Sequence, residues 1–334
     1  MKQIYPVRRR ALQILAAVGL IPFGATAFAD TNAVQRYPEK PIRLIVSYPA
    51  GGTADLLSRA IGEGLNEIFK QPVIVENRPG ANGNIAAGFV ATQPKDGYTL
   101  LMTAPGPVAV NANLYSSLPF NPEKDFSPVA RVAIAPLLLV VPSALPVKTL
   151  DELLAYLKTN PDKATFASQG NASSGHLAME LLKSKAAFDA VHAPYKGSAP
   201  ALVDLIAGHV TMMFDNTTSS MPHVRSGTLR AIAVAENRRI SAAPDVPTVE
   251  EAGVKGFAAT PWFGLVTTAG TPPGIIEKLN GAIQQVLKKP AVRTRFEGMG
   301  VELINESPEA FARYIQSERE KWKEVIRVSG TKVE

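Results

Sequence analysis

Tyr48-Pro49-Ala50-Gly51-Gly52-Thr53-Ala54-Asp55 is the stretch of this chain best suited to chemistry, and that chemistry is the capture of an anion. The loop carries little side chain, so a ligand can approach its backbone closely. A helix start just after it leaves unpaired N–H groups and a partial positive charge facing that ligand. A carboxylate or phosphate can then be held without a cationic side chain. Nucleotide chemistry does not fit: no Lys-Ser/Thr pair follows the second glycine, and Gly51-Gly52 lacks the dinucleotide spacing.

Two elements must position the loop. Upstream, Ile42-Arg43-Leu44-Ile45-Val46-Ser47-Tyr48 is rich in β-branched and aromatic residues, as a buried strand should be. Downstream, Leu56, Leu57, Ala60, Ile61, Leu65, Ile68 and Phe69 recur at helical spacing. Residues 72–76 read as a second strand, 84–91 as a small-residue helix and 98–103 as a third strand. Such alternation predicts an α/β fold with a parallel sheet covered on both faces. The strand 137–141, between Pro136 and Pro142, is a crossing point into a second domain.

The second half repeats this grammar. Thr149-Leu150-Asp151-Glu152 is a capping box opening a helix that stops at Asn160-Pro161. A strand at 164–168, a polar loop at 169–174 and a helix at 175–183 follow. Pro200 opens another helix, 210–214 and 229–235 are strands, and 262–267 crosses back to the first domain. Two terminal helices are opened by Thr271-Pro272 and Ser307-Pro308. Ligands gather at the carboxyl ends of such strands. If the lobes face each other, the loops at 48–55 and 168–175 meet across a cleft and can hold the two ends of a dicarboxylate.

Residues 1–29 read as a secretory signal: Lys2, Arg8, Arg9 and Arg10, an apolar run from Ala11 to Phe23, then Ala27-Phe28-Ala29 ahead of Asp30. Gly19, Pro22 and Gly24 interrupt the run, which argues against a spanning helix. Removing those four cations takes the formal charge from +6 to +2. The basic balance is therefore largely an export feature, and no basic-aromatic cluster suggests nucleic acid. The chain has no cysteine, so no disulfide or lipid anchor is expected.

In this order along the chain, Pro41-Ile42-Arg43-Leu44-Ile45-Val46, Ala50-Gly51-Gly52 with Asp55, Val75-Glu76-Asn77-Arg78-Pro79-Gly80-Ala81, Asp96-Gly97-Tyr98-Thr99-Leu100-Leu101, Pro194-Tyr195-Lys196-Gly197, Met213-Phe214-Asp215-Asn216 and Pro244-Asp245-Val246-Pro247-Thr248 resemble the substrate-binding receptors of tripartite tricarboxylate transporters, the TctC or Bug family. The resemblance implies a two-lobed periplasmic-binding-protein fold of type II, each lobe a mostly parallel sheet flanked by helices, joined by crossover strands and closing by hinge motion. It places lobe 1 at 30–140 and 263–334, and lobe 2 at 141–262. It implies a periplasmic, non-enzymatic receptor for a small carboxylate, partnered by a membrane permease, without cofactor or metal and expected to be a monomer. By the same resemblance Ala50, Gly51, Gly52 and Thr53 bind ligand from one side, and Ser168, Gly170, Asn171, Ser173 and Ser174 from the other. Ser47-Tyr48 stands where the family often has Pro or Phe after the strand, which leaves pocket shape open.

Other candidates are weighed individually. Asp55 falls in the first turn of its helix and reads as a cap that fixes the loop. Tyr48 offers a polar tip and a stacking face, or is a sheet-end aromatic. Thr103 ends a strand on the same expected face. Asp215 either pairs with a ligand amine or takes structural hydrogen bonds. His176 begins a helix beside the second loop, and the remaining histidines show no metal spacing. Trp262 belongs to the core or the hinge. The competing readings are an exported hydrolase and a ligand sensor. Neither Ser173 nor Ser174 sits in a G-x-S-x-G register, and His176 occupies the place where a P-loop needs Lys.

Overall fold

The computed structural model describes Met1 and residues 34–329; the expected signal segment and cleavage site otherwise lie outside the described residues. β1 (Ile42–Val46) pairs in parallel with β2 (Val73–Asn77) on one side and β3 (Thr99–Thr103) on the other. α1 (Thr53–Phe69) and α2 (Asn84–Ala91) make the returns between them. Alternation along β1 explains the layering. Ile42, Leu44 and Val46 pack with Leu57, Ile61 and Leu65 of α1, while Ile45 packs with Ala86, Ala87 and Val90 of α2 on the other face.

After a single wide turn at Gly106–Val110, β4 (Phe126–Ile134) runs to Ala135-Pro136 and the chain changes sheets. β5 (Leu137–Pro142), β6 (Thr165–Ser168), β7 (Val191–Pro194), β8 (Met212–Asn216) and β9 (Leu229–Val234) form the second sheet, in the order β7-β6-β8-β5-β9. Its helices are α3 (Leu150–Thr159), α4 (Ser174–Ala186), α5 (Ser198–Ile206) and α6 (Thr217–Arg225). β10 (Trp262–Thr268) returns to the first sheet, followed by α7 (Pro273–Lys288), α8 (Pro290–Glu297), β11 (Glu302–Leu303) and α9 (Pro308–Ser329). The first sheet then reads β11-β4-β10-β3-β1-β2.

The two-lobed α/β architecture is the one expected, with two adjustments. Among the described strands, parallel pairing joins β2-β1-β3 and β7-β6-β8, with one further parallel bridge from Val234 to Thr248. The strands entering and leaving the crossovers pair antiparallel, because each must run back beside its neighbour. The chain also leaves the first sheet at Ala135-Pro136, ahead of the boundary expected at 140, since β5 pairs with the second sheet from Leu137 onward. The two crossing segments run side by side, with Ala135 N–H donating to the Pro261 carbonyl (3.1 Å).

Start and stop signals explain most boundaries. Thr149 Oγ1 accepts from Glu152 N–H (3.2 Å), and Glu152 Oε2 reaches back to Lys148 N–H (2.6 Å), one residue beyond the expected capping-box partner. Ser307 Oγ caps α9 through Ala310 N–H (3.2 Å). Three helices follow β10 rather than the expected two, because Pro290 restarts the chain as α8. At the crossover, Trp262 is fully buried; its Nε1 and that of Trp322 both donate to Glu318 Oε2, each at 3.0 Å. Among the described residues, no helix is long and apolar enough to cross a membrane.

Candidate functional site

Segments after β1 and β2 meet segments after β6, β7 and β8: Thr53 with Thr218, Pro49 with Gly197 and Asn82 with Ala172. Asp55 organises the first lobe's share. Its carboxylate accepts from Gly51 N–H (3.0 Å), Asn77 Nδ2 (3.0 Å) and Arg59 Nε (3.0 Å), and it is 3% exposed. Burial alone would raise its pKa, but the bonds from Arg59, Gly51 and Asn77 overcome that and hold it below the usual carboxylate range. Gly51 sits at φ +82°, a conformation open to glycine and costly to most other residues. The expected cap is thus a clamp. It folds the loop back onto its own helix and leaves Pro49, Ala50, Gly51 and Gly52 exposed.

Gly52 is the N-cap of α1 and supplies no side-chain cap, so the Thr53 and Ala54 amides have no acceptor among the described residues. Thr53 Oγ1 lies 2.6 Å from Thr218 Oγ1 in the first turn of α6, across the cleft. α6 is likewise uncapped by the side chain of Asn216, while its first amide, Thr217 N–H, donates to the Pro136 carbonyl at the crossover (3.0 Å). Two helix N-termini therefore converge on one place, each contributing partial positive charge. On the α2 side of β1, where a Cβ at Gly83 would lie 3.1 Å from Ser47 Cβ, Ser47 is 1% exposed and its Oγ has no hydrogen-bond partner.

Asp215 plays the organising role in the second lobe. It is fully buried and accepts from Ser198 Oγ (2.5 Å), Ser219 Oγ (2.5 Å) and Gln169 Nε2 (2.7 Å). Burial drives its pKa up despite the bonds from Ser198, Ser219 and Gln169. These partners come from the start of α5, the first turn of α6 and the loop after β6. Gly175 lets α4 approach that loop: a Cβ there would lie 2.3 Å from the Phe214 carbonyl and 2.4 Å from Gln169 Oε1.

The loop at 168–174 spends much of its polar capacity on itself. Ser168 Oγ accepts from Gly170 N–H (3.1 Å) and lies 2.6 Å from His192 Nε2. Ser173 caps α4 through His176 N–H (3.3 Å), and Ser173 Oγ also donates to Gln169 Oε1 (3.2 Å). His176 Nδ1 accepts from Ala172 N–H (3.0 Å). Asn171 is exposed and Ser174 half-buried. Burial, then His192 and Lys183, pull the His176 pKa down to about 3; burial and then Lys183 bring His192 to about 4. Both rings are neutral at ordinary pH, so neither supplies a cation. Thr103 is fully buried and donates to the Ala104 carbonyl (3.0 Å). Tyr48 is half-buried, its phenol pushed upward by burial and then by Tyr115, while its carbonyl accepts from Asn77 Nδ2 (3.1 Å).

Direct contacts across the cleft are offset from the expected pairing of the two loops. The first loop meets α6 through Thr53 and Thr218, and Pro49 packs beside Gly197, where a Cβ would lie 3.6 Å from Pro49 Cγ. The loop at 168–174 meets the segment after β2 instead: Asn82 Nδ2 donates to the Ala172 carbonyl (2.8 Å). Thr218, Asn82 and Asn111 were not among the residues singled out from sequence. Thr217-Thr218-Ser219-Ser220 gave a weak signal, a run of small hydroxyls after the Asp215-Asn216 strand end.

Comparison with known proteins accords with this arrangement. The model of the tripartite tricarboxylate transporter family receptor matches residues 57–331. The chain is 38% identical to protein BugT of Bordetella pertussis over 325 residues, covering 96% of this chain and 98% of that protein. An R. palustris protein solved with adipate superposes with a TM-score of 0.84 at 35% identity, covering 88% of this chain and 98% of the other. MatC from Rhodopseudomonas palustris, solved with bound malate, gives a TM-score of 0.82 at 33% identity over 87% of this chain and all (100%) of that one. The chain belongs to the tripartite tricarboxylate transporter receptor family, a family of periplasmic solute-binding proteins.

Proposed function

We propose that the protein is exported to the periplasm, captures a small organic acid between its lobes and passes it to a membrane permease of the tripartite tricarboxylate type. The observation that carries this reading is the meeting of two N-termini lacking side-chain caps, α1 and α6, through Thr53 and Thr218. A carboxylate seated there takes hydrogen bonds from the Thr53 and Ala54 amides and from the hydroxyls of Thr53 and Thr218. Closed lobes exclude the water that would otherwise compete for those donors. Residues 168–174 border the far side of the same space and are assigned to the second end of a dicarboxylate. Relatives solved with adipate and with malate favour an aliphatic diacid of that size range. Asp55 and Asp215 hold the loops and do not touch the ligand, since their oxygens are already occupied.

Hydrolysis fits poorly. Among the described residues, the close contact between a Ser hydroxyl and a His ring joins Ser168 to His192, and Ser168 is fully buried with its hydroxyl bonded to both backbone groups of Gly170. A panel of aliphatic and aromatic mono- and dicarboxylates tests the reading through thermal unfolding. A true ligand at 100 times its dissociation constant adds about 2.7 kcal/mol, a shift of several degrees. A panel that moves nothing, while an ester or amide is turned over, replaces the receptor with an enzyme.

A further inference from the structure

Ala172 is 2% exposed and lies at φ +60°, in the left-handed region that a side chain with Cβ enters at a cost. Both of its backbone groups are engaged, and by opposite lobes. Its carbonyl accepts from Asn82 Nδ2 of the first lobe (2.8 Å), and its N–H donates to His176 Nδ1 of its own lobe (3.0 Å). A backbone N–H can only donate, so Nδ1 must present a lone pair. The proton of the neutral ring is then on Nε2.

The His176 ring is held from the side. It stacks on His192 with centroids 3.9 Å apart and planes 7° from parallel, and His192 stacks in turn on Phe166 at 4.7 Å. On the opposite lobe the donor is held as firmly. Asn82 Nδ2 also donates to Asn111 Oδ1 (2.9 Å), Asn111 Nδ2 returns a bond to the Asn82 carbonyl (3.2 Å), and the same nitrogen donates to Asn84 Oδ1 (2.6 Å). Each half of this contact is preassembled in its own lobe and completed only when the lobes meet.

On the reading of the cleft as the ligand site, we propose that His176 is a positioning residue for lobe closure: its Nδ1 holds Ala172 in the conformation that presents the Ala172 carbonyl to Asn82, forming a latch between the loops after β2 and β6. The ring touches no ligand. Its low proton affinity, set by burial and by the neighbouring His192 and Lys183, keeps the acceptor available at neutral pH. The latch governs how long the lobes stay together.

The absence of cysteine makes a direct test practical. Glu63 on α1 and Val203 on α5 are exposed on different lobes, and Glu63→Cys with Val203→Cys accepts a donor–acceptor dye pair. Single-molecule energy transfer then reads the ratio of short- to long-distance populations, without ligand and with adipate or malate as probes. His176→Leu should lower that ratio about two- to tenfold, the span expected for one lost hydrogen bond. His176→Asn, whose Oδ1 lies where Nδ1 was, should restore it. Asn82→Asp keeps the shape and tolerates positive φ but removes the donor and sets an oxygen against the Ala172 carbonyl and Asn111 Oδ1; it should lower the ratio at least as far as His176→Leu, and adding His176→Leu to it should lower the ratio no further. Thermal unfolding of each variant verifies folding, and the Asn82 variant tests the latch should His176→Leu not fold. No short-distance population in the unsubstituted pair, an asparagine variant that behaves like leucine, or additive effects would each overturn the proposal. Failure of adipate and malate to shift any distribution counts against the carboxylate reading and leaves the latch result standing.

Discussion

In each lobe one buried carboxylate gathers the loops that end at the cleft. Asp55 takes Gly51, Asn77 and Arg59; Asp215 takes Gln169, Ser198 and Ser219. An acid so close to the proposed anion site would repel the ligand if its charge faced it, but these donors take up its oxygens within its own lobe. The net effect is to aim amides outward. Asp55→Ala should lower unfolding free energy by about 2–3 kcal/mol, since a buried acceptor of charge-assisted bonds is lost. It should also weaken carboxylate binding at least tenfold, because Gly51 and Asn77 lose their anchor. Chemical denaturation and calorimetric titration check both. Unchanged affinity in a folded Asp55→Ala protein would remove this role. The carboxylates themselves were legible as polar residues at element ends, but their partners were not: Asn77 lies 22 positions from Asp55, and Gln169 lies 46 from Asp215.

Among the elements, α1 and α4 illustrate two fates of a helix start. α4 is capped by Ser173, so its end is spent on structure; α1 follows Gly52, which gives its first amides no side-chain cap. Both starts could be read from sequence, because apolar spacing and turn residues mark them. α6 could not, since Thr217-Thr218-Ser219-Ser220 has little helix propensity and Pro222 stands inside the helix. Tertiary contacts hold it instead, through the bond from Thr217 N–H to Pro136 and through Asp215. The stack of β6, α4 and β7 carries its own pH signature. His176 and His192 have folded values near 3 and 4 against an ordinary 6.5. The unfolded rings therefore bind protons that the folded rings refuse. Stability from this stack is complete above about pH 6.5 and is lost as pH falls toward the folded values. Each ring contributes a slope of up to roughly 1.4 kcal/mol per pH unit. Urea denaturation between pH 7 and pH 4 should show a slope one proton smaller in His176→Asn than in the unsubstituted protein. Equal slopes would contradict the assignment.

At the scale of the molecule, two segments crossing side by side join the lobes, and one buried cluster runs through them from Ile45 and Leu101 to Leu139, Phe166 and Phe214. α9 braces that junction. It holds Glu318 against both indoles, Arg319 donates to the Val108 carbonyl of the wide turn (2.8 Å), and the helix packs against α4 of the other lobe. The two-lobed plan was readable because strand–helix alternation and proline-bounded crossings survive in the sequence. The offset of contacts across the cleft was not, because it depends on which parallel strand of one sheet faces which of the other. The central claim is that backbone amides at the start of α1, joined by hydroxyls from both lobes, hold an acid. Amide-resolved NMR titration with the carboxylate that stabilises most strongly in the thermal panel tests it directly. The Thr53 and Ala54 amide protons should move downfield and saturate together, with Thr218 and Ser219 following on the same isotherm. Saturable binding that leaves those four amides unmoved and perturbs lysine or arginine side chains elsewhere would contradict it.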